Sequence, residues 1–207
     1  MALDTFANLK TQIIDFSHRG DISNRIDDFI VLAEEAMYAN PDFPLQLRQM
    51  ETRAEATTGP TRFLALPDGF ITMRRLKLNI GGGSCDVQYM APDQMAIQSA
   101  SGQPRFFTVT SQLEFDRVPD STYTVDMQYS AIPTPLSAAN PTNIVLTNHP
   151  SAYLYGALTA LFGWANDTEN EANYQRKFFG IIQGINKRYK QGRYGPAPKM
   201  RIEGATP

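Results

Sequence analysis

Two apolar stripes with helical spacing stand near the start of the chain. The first covers residues 6–14 and ends before Gly20. The second covers residues 26–37 and ends at the Asn40–Pro41 turn. Residues 44–56 follow and are rich in residues of high helix propensity. The pattern therefore predicts two short antiparallel helices and then a third helix.

From Thr61 the pattern changes to short apolar runs separated by glycine, proline and aspartate, which is typical of strands. The predicted strands are residues 63–66, 73–80, 86–89, 106–109, 112–115 and 123–130. The last is the clearest, because apolar and polar residues alternate strictly from Tyr123 to Tyr129. Glycines 81–83 predict a hairpin turn, and residues 91–99 predict a short helical insertion.

Two further helices are predicted in the last third of the chain. Pro150 suits the first position of a helix that carries an apolar stripe over residues 154–162, and Asn148 is expected to cap this helix. Thr168 and Glu171 have the spacing of a capping box, which predicts the start of the last helix.

The order of these elements predicts an α+β protein. N- and C-terminal helices are expected to pack as a bundle, with an antiparallel β-rich module inserted between them. The predicted boundaries are 1–60 for the N-terminal helices, 61–131 for the module and 132–191 for the C-terminal helices. Residues 192–207 contain three prolines and are predicted to form an extended C-terminal tail.

Charge is distributed unevenly along this chain of 207 residues, whose formal net charge is −2. Residues 1–55 hold ten acidic and five basic side chains, whereas residues 172–202 hold eight basic and no acidic ones. A basic segment of this kind can bind nucleic acid, an anionic membrane or an acidic protein surface. A solvated helix face is an equally simple interpretation.

Several classes of protein are excluded by composition. Cys85 is the single cysteine, and His18 and His149 are the two histidines, so we expect neither a disulfide scaffold nor a structural zinc site. No run of eighteen apolar residues occurs, and no basic segment precedes an apolar run near the start. We therefore expect a soluble protein of a reducing cytoplasm, with no membrane partner, no metal and no cofactor.

The one candidate for a catalytic site is formed by the paired acids Asp27–Asp28 and Glu34–Glu35. Two carboxylates held at a fixed separation can act as general acid and general base. Asp27 and Glu34 share a helix face, but the solvated side of an amphipathic helix explains them more simply. We assign no catalytic residue and predict that the protein is not an enzyme.

Two glycines of the last helix form a more unusual feature. Gly180 and Gly184 are four residues apart, so they share a face on which they lower helix stability. We expect another backbone to approach there, from a helix of the same chain or from a neighbouring subunit. Phe178 and Ile182 place further apolar groups on this helix. The four residues are assigned to helix close-packing or to a subunit interface.

Nine segments together indicate a family. They are Phe29–Glu35, Arg48–Glu51, Leu66–Phe70, Tyr129–Leu136, Thr142–Ile144, His149–Pro150, Tyr153–Leu158, Asn166–Glu169 and the Gly-Pro-x-Pro-x-Met-Arg motif at Gly195–Arg201. In their order and spacing they resemble the head-to-tail adaptor proteins of tailed bacteriophages, also called connector or head-completion proteins. The segments are structural signatures and not catalytic ones.

The resemblance implies a structural virion protein that forms a ring, typically a dodecamer, under the portal protein at the capsid–tail junction. Assembly would take place in the host cytoplasm. The other face of the ring would meet a distal tail component, such as a nozzle, a tail tube or a fibre-bearing protein. Double-stranded DNA would pass through the lumen without sequence-specific binding. The tail would reach the portal through Arg193, Tyr194, Pro196, Pro198, Lys199, Met200 and Arg201.

Two alternatives to this homo-oligomeric connector stay open. One is a nucleic-acid-binding protein that uses the basic C-terminal segment, whose affinity should fall steeply with salt. The other is a carboxylate-dependent hydrolase. A free connector is expected to be largely monomeric, with a tail that becomes ordered only on the portal.

Overall fold

The structure is a computed structural model that describes residues 3–194, with side chains described up to residue 191. Within this part the chain forms five α-helices and seven strands, which confirms the predicted mixed α+β class. The chain divides into two compact units. The helical unit contains the residues up to Arg48 and those from Pro133 onward, and the sheet unit is Gln49–Ile132.

The helical unit is built around one central helix. Its helices are α1 (Phe6–Ser17), α2 (Ile26–Tyr38), α3 (Ile144–Asn148), α4 (Pro150–Trp164) and α5 (Thr168–Tyr194). Helix α4 packs against α2 and against α5, whereas those two helices make no extensive contact with each other. This position explains why α4 is apolar on most of its surface, since a helix surrounded by others buries side chains all round.

Short polar side chains define the starts of these helices. The Thr5 hydroxyl accepts a hydrogen bond from the Asn8 amide at the start of α1 (3.3 Å). Pro150 stands at the first position of α4, as predicted. Asn148, however, does not cap α4, because it is the last residue of α3 and its side chain donates to the Ile144 carbonyl (2.8 Å).

The predicted capping box at the start of α5 is wrong. The Asp167 carboxylate, one residue before the helix, accepts a hydrogen bond from the Asn170 amide (3.1 Å). An aspartate at this position satisfies an unpaired amide as well as a threonine does, and its negative charge is also favourable at the positive end of the helix dipole. Asp167 therefore takes the role that the sequence pattern gave to Thr168.

The sheet unit consists of one seven-stranded sheet, which curls and is antiparallel except for one pair. Its strands are β1 (Glu51–Thr57), β2 (Phe63–Leu64), β3 (Phe70–Ile80), β4 (Gly83–Tyr89), β5 (Phe106–Val109), β6 (Leu113–Phe115) and β7 (Thr124–Ala131). They lie in the order β1-β7-β3-β4-β5-β6-β2, and β4 and β5 are the parallel pair. The six strands predicted from the sequence are all present, residues 106–109 with the predicted bounds and the other five with shifted ends.

Alternating apolar residues of β3 and β7 form the centre of the sheet core. Leu76 and Leu78 pair with Met127 and Val125, and all four side chains are buried. Further apolar residues of β4, β5 and β6 complete the cluster. The strands by which the chain enters and leaves the unit lie side by side, because Glu51 of β1 pairs with Ser130 of β7.

The third helix predicted over residues 44–56 is wrong. The chain forms a single 3₁₀ turn at Arg48–Met50 and then enters β1, which pairs with β7 along its whole length. Helix propensities differ by only tenths of a kcal/mol per residue among ordinary residues, so the tertiary pairing of a seven-residue strand overrides them.

The helical insertion predicted over residues 91–99 is also wrong. The chain makes one turn there, in which the amides of Gln94 and Met95 donate to the Ala91 carbonyl. Most side chains of this segment are exposed. Without an apolar face to bury, so short a helix is not stable, because its first turn is costly to form.

Candidate functional site

A buried carboxylate lies in the helical unit. Glu34 of α2 is 7% exposed, and its Oε1 accepts hydrogen bonds from the Leu136 amide (2.9 Å) and the Tyr153 hydroxyl (2.7 Å). The interpretation of Glu34 as part of a solvated face is therefore wrong. Position 34 lies on the same side of α2 as the buried Ile30 and Met37.

The hydrogen bonds extend from Glu34 to a third helix. The Asn143 side-chain amide donates to the Tyr153 hydroxyl (2.7 Å), and its Oδ1 accepts from the amides that begin α3. The Tyr38 hydroxyl is buried in the same region, close to Glu34 and Tyr153. The side chains of Glu34, Tyr153 and Asn143 thus connect α2, α4 and the start of α3.

Burial controls the protonation of this cluster. Desolvation raises the pKa of Glu34 above its ordinary value, although the hydrogen bonds from Leu136 and Tyr153 oppose this change. Desolvation also raises the pKa values of Tyr38 and Tyr153 far above their usual range. Both tyrosines therefore stay neutral and act as hydrogen-bonding groups within the core.

The acidic pairs do not form an acid–base site. Asp27 is exposed and pairs with Lys10 (2.6 Å), whereas Glu34 is buried among tyrosines. The two carboxylates thus lie in different environments and share no partner. In the part of the chain that the structure describes, no group of three or more histidine, cysteine or acidic residues could hold a metal ion.

The four residues of α5 that were assigned to helix close-packing or a subunit interface lie in two different environments. Phe178 and Ile182 are buried within their own chain. Gly180 and Gly184 are exposed, and a Cβ at either position would have no neighbour within 4 Å among the described residues. Approach by a helix of the same chain is thus not seen in the described part. Approach by a neighbouring subunit stays a prediction.

Gly156 is a glycine at which two other helices of this chain approach α4 closely. A Cβ there would lie 2.9 Å from the Ala33 Cβ and 3.0 Å from the Phe178 ring. Helices α2 and α5 therefore both reach α4 at a position where a side chain has no room. A glycine inside a largely apolar helix was the available signal in the sequence.

An open cleft lies on the sheet unit. Strand β4 pairs with β3 between Leu76 and Ile80 and then turns away to pair with β5. The first half of β3 consequently pairs only with β7, and a cleft of about 530 Å³ opens beside it. Ile71 and Tyr89, which is 61% exposed, line this cleft.

One charged pair is part of the lining of the cleft. Arg75 forms two hydrogen bonds of 2.7 Å to the Asp86 carboxylate across β3 and β4. The bound guanidinium lowers the pKa of Asp86. The cleft therefore combines exposed apolar side chains with a strand edge and a neutralised ion pair.

A comparison of the sequence with models of known protein families identifies the family of this chain. The family model described as SU10 adaptor protein matches residues 4–200. The chain belongs to the SU10 adaptor protein family. The resemblance to phage head-to-tail adaptors is thereby confirmed. No curated protein matches the chain.

Membership in this family indicates the class of the protein and its location in the virion. Phage adaptors are structural proteins that act at the capsid–tail junction of the virion, where they contact portal and tail proteins. The adaptor described here has no helix between residues 3 and 194 that is long and apolar enough to cross a membrane. The match covers both units of the adaptor, so the helices and the sheet belong to one family architecture.

The residues assigned to portal docking lie at or beyond the end of the described chain. Helix α5 of the adaptor continues to Tyr194, so residues 192–194 are helical and the start of an extended tail predicted at residue 192 is wrong. Arg193 and Tyr194 are in this last turn. The remaining assigned residues lie outside the described residues, and they are Pro196, Pro198, Lys199, Met200 and Arg201.

Proposed function

We propose that this protein forms a ring, with dodecameric symmetry, between the portal and the next tail component, and that double-stranded DNA passes through the ring without sequence-specific binding. The observation that carries this proposal is the family match over residues 4–200. A DNA channel must release its cargo, so the lumen should bind DNA only weakly.

The C-terminal segment is the proposed portal-docking element. Helix α5 carries the exposed Lys190 near its end, and the chain continues with Arg193, Lys199 and Arg201. Prolines 196 and 198 restrict the segment before it binds, which reduces the entropy lost on docking along another protein. A basic, proline-containing segment fits an acidic groove on the portal.

The sheet unit is proposed to meet the distal tail component. The unpaired edge at the start of β3 offers backbone groups to an extended segment of a partner, which is a common mode of strand addition. Ile71 and Tyr89 supply apolar contacts beside this edge. We therefore expect Tyr89→Ala to weaken binding of the distal component and to leave portal binding unchanged.

The test is a reconstitution with the purified portal ring of the same phage, followed by native mass spectrometry and electron microscopy. A complex with one adaptor copy per portal subunit would support the proposal. Failure of the folded, full-length protein to bind would overturn it.

Truncation separates the roles of the C-terminal segment and of the rest of the chain. A protein that ends at residue 191 should lose portal binding while it keeps its fold. Tyr89→Ala is the matched control, since it alters the other unit. If the truncated protein binds the portal with the affinity of the full chain, the docking assignment is wrong.

A further inference from the structure

Helix α2 has an outward face on which two apolar side chains lie between two acids. Val31 and Leu32 are 57% and 48% exposed. Asp28 stands about one turn before them and Glu35 about one turn after them, and both acids are exposed. Within the described residues neither acid forms an ion pair. We call these four residues the α2 face.

Helix α5 has an outward face with the opposite charge. Its exposed residues at helical spacing are Arg176, Lys177, Gly180, Gly184, Lys187 and Arg188, and we call them the α5 face. Basic side chains stand at both ends and the two glycines lie between them. No acidic residue occurs between positions 172 and 191. The centre of the face is bare backbone that a neighbouring apolar group can approach closely.

The two faces match in length as well as in charge. The acids of the α2 face are seven residues apart, which is about 10 Å along a helix, and the basic pairs of the α5 face are centred about 16 Å apart. Lysine and arginine side chains are long enough to lean inward over the difference of about 3 Å at each end. Val31 and Leu32 would then lie over Gly180 and Gly184.

The two faces lie opposite the sides of α2 and α5 that are buried, although Lys177, at the edge of the α5 face, leans back over Tyr155 of α4. Helix α4 packs against α2 and α5, and each of them buries its other face. The α2 face therefore cannot meet the α5 face of its own chain. A contact between different patches of two copies is head-to-tail, and repetition of such a contact builds a ring when the rotation closes.

We propose that the α2 face of one copy binds the α5 face of the next copy and that this contact builds the ring. The proposal rests on the proposed function, which supplies the ring. Charge complementarity selects a second copy of the chain as the occupant of both faces.

Two charge-reversal variants test the contact. Variant A is Asp28→Lys with Glu35→Lys, and variant B is Arg176→Glu with Lys187→Glu and Arg188→Glu, so that both ends of each face change sign. Alone, each variant places like charges at every subunit contact, so we expect its binding to the portal ring to weaken by roughly tenfold or more and to lose the full complement of copies. The matched control is Glu55→Lys with Asp93→Lys, which makes the charge change of variant A on exposed positions of the sheet unit.

Mixing the variants gives the decisive result. In a mixture of A and B, each reversed face meets a face of opposite charge on the other variant, so the full ring should form again with A and B in equal number. One chain that carries all five substitutions should also assemble alone. Either rescue requires contact between the two faces, and a general loss of stability would produce neither. Thermal unfolding of each variant alone checks that its fold is intact.

The outcomes separate this contact from the proposed function. If the wild-type protein does not bind the portal ring, the proposed function fails. If the wild type fills the ring and both variants fill it equally well, or if the mixture is not rescued, this contact is wrong while the function stands. Loss of duplex DNA binding in variant B, with full portal rings from both variants, would assign the α5 face to DNA and also overturn the contact.

Discussion

Glu34 and Tyr153 are 119 residues apart in the chain and share a buried hydrogen bond of 2.7 Å. The bond joins α2 near the start of the chain to α4 near its end. The same carboxylate oxygen accepts the amide of Leu136, in the segment by which the chain returns to the helical unit. One side chain thus ties together three parts of the unit that are distant in sequence.

Replacement of Glu34 should show what this connection contributes. Glu34→Leu leaves a buried amide and a buried hydroxyl without an acceptor, at about 1–3 kcal/mol for each group. We expect a loss of about 3 kcal/mol in the free energy of unfolding. Glu34→Gln keeps a carbonyl acceptor at the same place and should lose less than about 1 kcal/mol. Urea denaturation followed by fluorescence of Trp164, the single tryptophan, measures both. Equal losses in the two variants would contradict this account.

The raised pKa of Glu34 predicts a pH dependence with a definite sign. In the unfolded chain the carboxyl group loses its proton near its ordinary pKa of 4.5, and in the folded protein it does so at a higher pH. Between these two values the folded state binds more protons, so its stability falls as the pH rises. The free energy of unfolding of the wild type, minus that of Glu34→Gln, should decrease from pH 4.5 upward. A difference that grows with pH would refute the prediction.

Two glycines should respond in opposite ways to the same substitution. Gly156→Leu would force a side chain against Ala33 and Phe178, and we expect a loss of at least about 3 kcal/mol or failure to fold. Gly156→Ala is the milder test and should still destabilise. Gly184→Leu meets open space and should raise helix stability by roughly 0.5–1 kcal/mol. Thermal unfolding of the three variants checks the contrast, and destabilisation by Gly184→Leu would count against it.

Asp116 should be important for the sheet unit. This carboxylate is 2% exposed, accepts hydrogen bonds from the amides of Arg105 (3.0 Å) and Phe106 (3.3 Å), and pairs with Arg117 (2.9 Å). Asp116→Ala leaves these donors unpaired, so we expect a loss of about 2–4 kcal/mol. Asp116→Asn keeps one acceptor and should lose less. Circular dichroism during urea denaturation reports the change, and an unaltered transition in Asp116→Ala would show that the carboxylate is dispensable.

Helices α1, α2, α4 and α5 were predictable because each carries an apolar stripe with the period of a helix. Strand β7 was predictable for the same reason at period two. In these elements local periodicity and tertiary burial agree. The start of α5 was less certain, since Asp167 competes as a cap with its neighbour Thr168, which has a similar preference for this position.

Strand β1 and Glu34 show where local patterns fail. The sequence of β1 favours a helix, and only pairing with β7, seventy residues later, makes it a strand. Glu34 is an acid on a helix, and its partners Leu136 and Tyr153 lie more than one hundred residues away. Neither partner can be identified from a periodicity that extends over a few turns.

The candidate contact surfaces of α2, α5 and the sheet were also only partly predictable from the sequence. The pairing of Gly180 and Gly184 was visible in the sequence, whereas the exposure of Val31 and Leu32 required the structure, because an apolar residue on a helix is normally assigned to the core. The cleft beside β3 depends on the turn of β4 toward β5, which no local pattern encodes.

Because Glu51 pairs with Ser130, the two ends of the segment that forms the sheet unit lie next to each other. Paired residues of antiparallel strands lie about 5 Å apart, so the chain leaves and re-enters the sheet through neighbouring points. A segment with such closely spaced ends can be excised and bridged by a short turn, or exchanged for a foreign domain with the same spacing. Chimeras grafted at these two positions would let one helical scaffold carry a different sheet unit.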